Sequence, residues 1–262
     1  MLLTVDIGNT NITIGGFAIA DKTVTQSPAF IARFLTEPGK TDDQYAMAIS
    51  QLLTLYRIPA DSVKDVILCS VVPELSETVR QAFVKATGIT PMLLGPGIKT
   101  GLNIRIDNPA QLGSDLVAGA VAAVAKYPLP CIVLDLGTAT TLCVIDKNGS
   151  YLGGTICAGI SITLQALANK TALLPHISIE KPKTVIGTNT IHCMQSGAIY
   201  GTAAMIDGLT ERIEAQLGEP ATLVATGGLA HLVLPACKKK LLLDEHLLLD
   251  GLRMIYEKNR RI

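Results

Sequence analysis

The chain has 262 residues, enough for one large or two small domains, and 48% of them are hydrophobic, enough to fill a sizeable core. The formal net charge of +0 argues against general binding to a nucleic-acid backbone. No apolar run reaches the roughly 18 residues that favour a membrane-spanning helix. The first residues lack the basic region and cleavage site of a secretory signal, so we expect none.

The first half is predicted to open with a β-hairpin, in which the polar residues Gly8-Asn9-Thr10 form the turn. Gly15-Gly16 interrupts the apolar alternation of its second strand. The predicted elements of this half are strands at Met1–Asp6, Ile12–Phe17 and Val66–Val72 and helices at Asp42–Tyr56 and Leu75–Thr87.

The second half begins with an alanine-rich helix and then repeats the pattern of a buried strand, a polar turn and a second strand. Prolines after Tyr127 end the helix, because proline cannot continue its hydrogen-bond ladder. The predicted elements are helices at Leu112–Tyr127 and Asp244–Tyr256 and strands at Cys131–Leu136, Thr138–Ile145 and Thr222–Ala225.

Six cysteines are present, and none is arranged as Cys-x-x-Cys. Three of them lie inside apolar runs that are predicted to be strands. This usage is typical of reduced thiols, so we expect a cytoplasmic protein without a zinc site. The cysteines are Cys69, Cys131, Cys143, Cys157, Cys193 and Cys237.

A strand that ends in Asp-x-Gly occurs once in each half. The first example is Asp6-Ile7-Gly8-Asn9-Thr10-Asn11, and the second is Asp135-Leu136-Gly137-Thr138-Ala139-Thr140-Thr141. Two units of one design indicate a duplicated protein with two lobes. We place the lobes at residues 1–118 and 119–262.

Both turns have the chemistry of a phosphate-binding loop. Gly8 and Gly137 remove the Cβ that would block the approach of a phosphate to backbone N–H groups. Asp6 can hold a hydrated Mg²⁺ beside the phosphates, whereas an ordinary polar hairpin is the alternative for each turn. A third motif, Ala225-Thr226-Gly227-Gly228, can leave flat space for an adenine ring or simply turn the chain.

Together these motifs resemble those of the sugar kinases and actin. The resemblance implies an α/β fold, duplicated and actin-like (ribonuclease H-like), with two lobes and a nucleotide cleft between them. That superfamily includes kinases, phosphatases, chaperones and filament proteins, so the fold alone leaves the function open.

The stretch Asn108–Asp115 makes the resemblance more specific. With Gly153-Gly154-Thr155-Ile156 and Ile186–Thr190, in the right order between Asp6 and about Gly228, it resembles the type III pantothenate kinases. The resemblance implies that ATP phosphorylates the primary hydroxyl of pantothenate, with Mg²⁺ and a monovalent cation, K⁺ or NH₄⁺, as cofactors. It also implies a homodimer.

The resemblance assigns roles to individual residues. Asp115 would be the general base, Asp135 would bind the monovalent cation, and Thr190 would contact pantothenate across the dimer interface. Gly113, Ser114, Asp115 and Leu116 would form the rest of the substrate site. The ATP contacts would come from Thr138 and the first turn, namely Asp6, Ile7, Gly8, Asn9, Thr10, Asn11, Ile12 and Thr13.

Physical chemistry agrees with several of these roles. Asp115 lies near a predicted helix start, where the positive end of the helix dipole is expected to keep it ionised. Neither turn contains lysine or arginine, so cations must offset much of the triphosphate charge.

Two positions depart from the family pattern. Leu116 stands where an arginine usually pairs with the pantothenate carboxylate, and Ile106 stands near the usual aromatic residue. Arg105 could supply the missing charge, or it could be a surface arginine. The alternatives are therefore a kinase for another small hydroxy acid and a non-catalytic nucleotide-binding regulator, since the family is also called the Bvg accessory factors.

Overall fold

A computed structural model describes residues 1–20 and 23–260. The chain forms two compact units. Unit 1 contains Met1–Leu102, Asn108–Ala122 and the segment that begins at His246, and unit 2 contains Asn103–Asp107 and Ala123–Glu245. The sequence-based division at residue 118 places the last segment with the second lobe, whereas here it groups with unit 1.

Strands and helices follow one another throughout the described residues. The strands are β1 (Leu2–Ile7), β2 (Asn11–Phe17), β3 (Ile19–Ala20), β4 (Thr23–Val24), β5 (Phe30–Leu35), β6 (Asp65–Ser70), β7 (Met92–Leu93), β8 (Asn103–Ile104), β9 (Cys131–Leu136), β10 (Ala139–Ile145), β11 (Ser150–Ala158), β12 (Thr222–Thr226) and β13 (Leu242–Leu243). The helices are α1 (Asp42–Leu55), α2 (Pro73–Thr87), α3 (Ser114–Lys126), α4 (Ile160–Lys170), α5 (Thr190–Leu217), α6 (Ala230–Val233) and α7 (Leu247–Asn259).

Unit 1 is built on a sheet with the strand order β5-β2-β1-β6-β7. Side chains alternate between the two faces of a strand, so β1 contributes to two cores. Leu3, Val5 and Ile7 pack in the core that includes residues of α1 and α2. Leu2 packs on the opposite face with residues of α3 and α7.

The second strand of the predicted hairpin runs through both of its glycines, Gly15 and Gly16, and ends at Phe17 as predicted. β2 runs through both residues and pairs with β1 on one side and β5 on the other. A Cβ added at Gly16 would lie 2.0 Å from a ring carbon of Phe30. The glycines therefore make room for side chains that cover the strand.

Unit 2 repeats this design. Its sheet has the order β13-β12-β9-β10-β11-β8. β9 pairs with β10 antiparallel and with β12 parallel, as β1 pairs with β2 and β6. Its core contains residues of β9 and β12 and of the helices α4, α5 and α6. The matching strand orders and directions confirm the predicted duplication.

No helix among residues 1–20 and 23–260 is long and apolar enough to span a lipid bilayer.

Candidate active site

The first predicted phosphate turn joins β1 to β2 and is fixed by hydrogen bonds at both ends. The Gly8 N–H donates to the Asn11 carbonyl at 3.0 Å. The Thr36 hydroxyl donates to the Gly8 carbonyl at 2.6 Å, and the Thr36 N–H donates to the Thr10 carbonyl at 2.9 Å. A Cβ on Gly8 would lie 3.1 Å from the Asn11 carbonyl oxygen, so glycine keeps this turn tight.

The residues predicted to contact ATP at this turn differ in exposure. Asn9, Thr10 and Asn11 are exposed, and their polar groups can meet a ligand. The side chains of Ile7 and Ile12 are in the core, with 0% and 1% of their surface exposed. These two residues can offer a ligand only backbone groups. Asp6, Gly8 and Thr13 are half-buried.

Asp6 and Asp115 lie in one neighbourhood of unit 1, although 108 residues separate them in sequence. The Cys69 thiol, on the adjacent strand β6, donates to Asp6 Oδ1 at 3.4 Å. Burial raises the pKa of the Cys69 thiol well above its usual value, and the nearby charges of Asp6 and Asp115 raise it further. The thiol is therefore a neutral donor beside two carboxylates.

Asp115 is the second residue of α3 and is half-buried. Its Oδ1 accepts the Leu116 N–H at 2.7 Å, and a Cβ on Gly113 would lie 2.4 Å from the same oxygen. Burial raises the pKa of the Asp115 carboxyl, and the Leu116 N–H only partly opposes this effect. Desolvation therefore outweighs the backbone hydrogen bonds at the helix start in its effect on this pKa.

The remaining residues of the predicted substrate site have different environments. The Ser114 hydroxyl is bonded to the backbone of Ser70. Leu116 is half-buried on α3. Thr190 is exposed at the first position of α5 in unit 2, directly after Asn189, whose side chain accepts the His192 N–H at 2.9 Å.

The second predicted turn joins β9 to β10 in unit 2. The Gly137 N–H donates to the Ala139 carbonyl at 3.0 Å, and the Gly159 N–H donates to the Thr138 carbonyl at 3.2 Å. Thr138 is half-buried at the turn, whereas Thr140 is 1% exposed and lies in the interior. The turn thus offers a ligand Thr138 and backbone groups, but not the Thr140 hydroxyl.

The Gly-Gly motif lies against Asp135. Thr226, at the end of β12, pairs with Asp135 at the end of β9. Gly227 has a φ of +93°, and a Cβ there would lie 2.4 Å from Asp135 Oδ1. Unit 2 therefore gathers Asp135, the Thr138 turn and Gly227 in one place, as parallel strands bring their carboxyl ends to the same edge.

Among the described residues, no three histidine, cysteine, aspartate or glutamate side chains converge to hold a metal ion. Each turn has a single half-buried carboxylate at its strand end, Asp6 in one and Asp135 in the other. Mg²⁺ is often held by one or two carboxylates together with substrate phosphates and water. One carboxylate at each turn therefore suits a cation that binds together with a nucleotide, and suits a permanently bound metal ion less well.

The family model for type III pantothenate kinases matches residues 2–212. This match covers most of the chain and contains both Asp-x-Gly turns and Asp115. The chain belongs to the type III pantothenate kinase family. A type III pantothenate kinase of Exiguobacterium sibiricum is 42% identical over 260 residues, which are 99% of this chain and 100% of that protein.

Solved structures confirm the actin-like, sugar-kinase fold of this pantothenate kinase family member. A Campylobacter jejuni protein described as a Baf family transcriptional activator aligns with a TM-score of 0.61 and 19% identity, over 98% of each chain. A Sinorhizobium meliloti protein proposed to be a 2-dehydro-3-deoxygalactonokinase aligns with a TM-score of 0.61 and 12% identity, over 100% of this chain and 98% of that one. At these identities the likeness concerns the fold alone.

Several residues that contact or support the site of this family member were not predicted from the sequence. Cys69 and Ser70 end the strand beside β1, and Thr36 holds the first turn. Their positions depend on the order of strands in the sheet, which the spacing of residues along the chain does not reveal. The sequence signal for Ser70 is that this polar residue interrupts the apolar run before Pro73.

Proposed function

We propose that this chain transfers the γ-phosphate of ATP to the primary hydroxyl of pantothenate and so produces 4′-phosphopantothenate, the first step of coenzyme A biosynthesis. Membership of the type III pantothenate kinase family supports this activity. The observation that carries it is the neighbourhood of Asp6 and Asp115 beside a tight glycine turn. This arrangement supplies a carboxylate for the acceptor and a carboxylate for a phosphate-bound cation.

We propose that each glycine turn, taken by itself, offers a binding loop for phosphate groups of ATP. The exposed polar residues Asn9, Thr10 and Asn11 support this assignment in unit 1, with Asp6, Gly8 and Thr13 beside them and backbone groups from Ile7 and Ile12. Thr138 supports it in unit 2. Phosphoryl transfer has a loose transition state, so catalysis depends mainly on positioning and on compensation of charge.

Asp6 is the residue that we propose for Mg²⁺, and Asp135 is the one for K⁺ or NH₄⁺. Bound cations would supply the positive charge that the two turns lack. The half-buried carboxylates at the strand ends fit this role, because oxygen donors suit both kinds of cation.

Asp115 acts as the general base in this proposal. Its carboxyl is half-buried, and burial raises its pKa, which makes the carboxylate a better proton acceptor than an exposed aspartate. The proton of the acceptor hydroxyl would move to Asp115 as the bond to the phosphoryl group forms.

The identity of the acceptor depends on Leu116. This apolar side chain cannot pair with a carboxylate. Arg105, the residue that could supply the missing charge, is exposed and close enough to Asp146 for its charge to act on the Asp146 carboxyl. A kinase for another small hydroxy acid is therefore the second candidate. Replacing Leu116 with arginine tests the point, because a new bidentate partner should lower the KM for pantothenate if its carboxylate lies nearby.

We also propose a homodimer, with Thr190 near the acceptor across the interface. Unit 2 exposes large apolar side chains, including Ile156 at 77% and Leu173 at 90%. Apolar surface of this kind marks interaction sites when it forms a patch. Light scattering on a size-exclusion column tests the proposal with Ile156→Asp, which should shift a dimer toward the monomer without lowering the Tm of the monomer.

A coupled assay with ATP, Mg²⁺, K⁺ and pantothenate tests the activity itself. We expect saturable formation of ADP that depends on pantothenate, and 4′-phosphopantothenate as the product by mass spectrometry. A panel of small hydroxy acids should include no better acceptor. Absence of turnover at millimolar pantothenate would refute the proposal. Turnover of another hydroxy acid in the panel would then favour the second candidate, whereas ATP binding in calorimetry without turnover of any acceptor would favour the nucleotide-binding regulator.

A further inference from the structure

A reciprocal pair of hydrogen bonds joins the start of α3 to the end of β6. The Ser114 hydroxyl donates to the Ser70 carbonyl at 3.1 Å and accepts the Ser70 N–H at 3.2 Å. β7 pairs with β6 only at Ile67 and Leu68, and the Leu94 N–H then donates to the Leu68 carbonyl. Ser114 thus satisfies the backbone groups of β6 that lie beyond the end of β7.

Ser70 is itself a fixed point. Its hydroxyl accepts the Val72 N–H at 3.1 Å. The Ser76 hydroxyl lies 2.9 Å from the Ser70 hydroxyl oxygen and 3.2 Å from the Val72 carbonyl oxygen. Ser76 belongs to the first turns of α2, so strand, turn and helix hold one another here. Ser70, to which Ser114 is bonded, is therefore held rigidly by this network of hydrogen bonds.

The residues next to Ser114 and Ser70 in sequence, Asp115 and Cys69, belong to the candidate site. Asp115 follows Ser114, and its carboxylate is folded over Gly113 and bonded to the Leu116 N–H. Cys69 precedes Ser70, and its thiol donates to Asp6. The end of β6 consequently contacts both the residue next to the proposed base and the proposed Mg²⁺ carboxylate.

We infer that Ser114 is a positioning residue, whose hydroxyl fixes the start of α3 on β6 and thereby sets Asp115 relative to Asp6. The single proton of this hydroxyl is committed to the Ser70 carbonyl, so Ser114 acts through Asp115 and not by donating to the acceptor. This inference rests on the proposed function for its kinetic consequences, but its geometric consequence is independent of the substrate.

The kinetic experiment compares Ser114→Ala, Ser114→Thr and a matched control. Thr87 is the control, because its hydroxyl also donates to a backbone carbonyl, that of Phe83 at 2.7 Å, and accepts a backbone N–H, that of Ile89 at 3.2 Å. Both residues are half-buried in unit 1. Ser114→Ala and Thr87→Ala should therefore lower the Tm by similar amounts.

The two alanine variants should differ in kcat. A displacement of a reacting group by about 1 Å can cost about a hundredfold in rate, so Ser114→Ala should lower kcat by about tenfold to a hundredfold, with little change in either KM. Ser114→Thr, which keeps the hydroxyl, should recover most of kcat, and Thr87→Ala should leave kcat unchanged. A rise in the KM for pantothenate at unchanged kcat would instead show that Ser114 contacts the acceptor, and would overturn the inference.

Crystal structures of the wild-type and Ser114→Ala proteins give the readout that needs no activity. We expect the first turn of α3 to move away from Ser70 and the Asp115 carboxylate to move with it. Superposable Asp115 side chains in the two structures would overturn the inference, even if the wild-type protein does not phosphorylate pantothenate. Conversely, an inactive wild type with a displaced Asp115 in the variant would refute the proposed function and retain the positioning role.

Discussion

Replacing Gly113 with alanine should lower kcat about a hundredfold without unfolding the protein. The added Cβ would lie 2.4 Å from Asp115 Oδ1 and 3.7 Å from a methyl carbon of Val71. The contact with Val71 is an ordinary van der Waals contact, but the contact with Asp115 Oδ1 is too short to be tolerated. Because ordinary contact begins near 3.4 Å, the carboxylate oxygen has to move by about 1 Å. The group that must yield is the proposed base.

The size of the effect follows from that displacement. Misplacing a reacting group by about 1 Å costs about a hundredfold in rate, which corresponds to about 2.7 kcal/mol in activation free energy. Gly113 does not have a positive φ, so alanine fits its backbone. The lower entropy of the unfolded chain should then leave the free energy of unfolding unchanged or raise it by up to about 1 kcal/mol.

Steady-state kinetics and thermal unfolding together test this prediction. Gly119→Ala is the matched control, because Gly119 lies in α3, which begins directly after Gly113, and a Cβ there would meet no atom of the described residues within 4 Å. We expect full kcat in Gly119→Ala and about one hundredth of it in Gly113→Ala, with both proteins as stable as wild type. A Gly113→Ala protein with normal kcat would refute the assignment of Asp115, and one with a much lower Tm would show that the backbone moved instead.

Four further predictions concern the same groups. Asp115→Asn should lose most turnover and still bind ATP in calorimetry; near-normal turnover would remove Asp115 as the base. Since burial raises the pKa of the Asp115 carboxyl and the ionised form is the base, kcat/KM should fall on acidification around a pKa above the ordinary value of about 3.9; a pH profile flat down to pH 4 would contradict this. Activity in K⁺ should exceed that in Na⁺, and Asp135→Asn should abolish the difference; equal rates in the wild type would exclude a K⁺ site. Gly228→Ala, whose Cβ would meet no protein atom within 4 Å, should raise the KM for ATP several-fold at unchanged Tm if adenine lies against it; an unchanged KM would place the ring elsewhere.

Local patterns predicted the strands well, because an apolar run that ends in Asp-x-Gly has clear limits. The predicted strand Cys131–Leu136 matches β9. The strand predicted at Val66–Val72 ends at Ser70, because the hydroxyl of Ser70 bonds Val72 and forms a turn. α2 begins at Pro73, two residues before the prediction, since proline is accepted at the first position of a helix.

Other features depended on contacts that are distant in sequence. The C-terminal helix begins at Leu247 and not at Asp244, whose side chain bonds Lys126 and Tyr127. The 28-residue helix α5 was not predicted, because its glycines lower helix propensity and tertiary packing overrides that preference. The bridge between Ser70 and Ser114 and the bond between Cys69 and Asp6 depend on strand order, which no spacing along the chain reveals.

The place of α7 in unit 1 has a consequence for biosynthesis. Leu249, Leu252 and Ile255 share a core with Leu2 and Ile67, so β1 is covered by a helix that is made long after it. On the ribosome, that face of the nascent sheet stays uncovered until α7 emerges, whereas Ala123–Glu245 emerges before α7. Chains that terminate early would present this uncovered face to chaperones and proteases, so quality control should remove truncated copies of this enzyme efficiently.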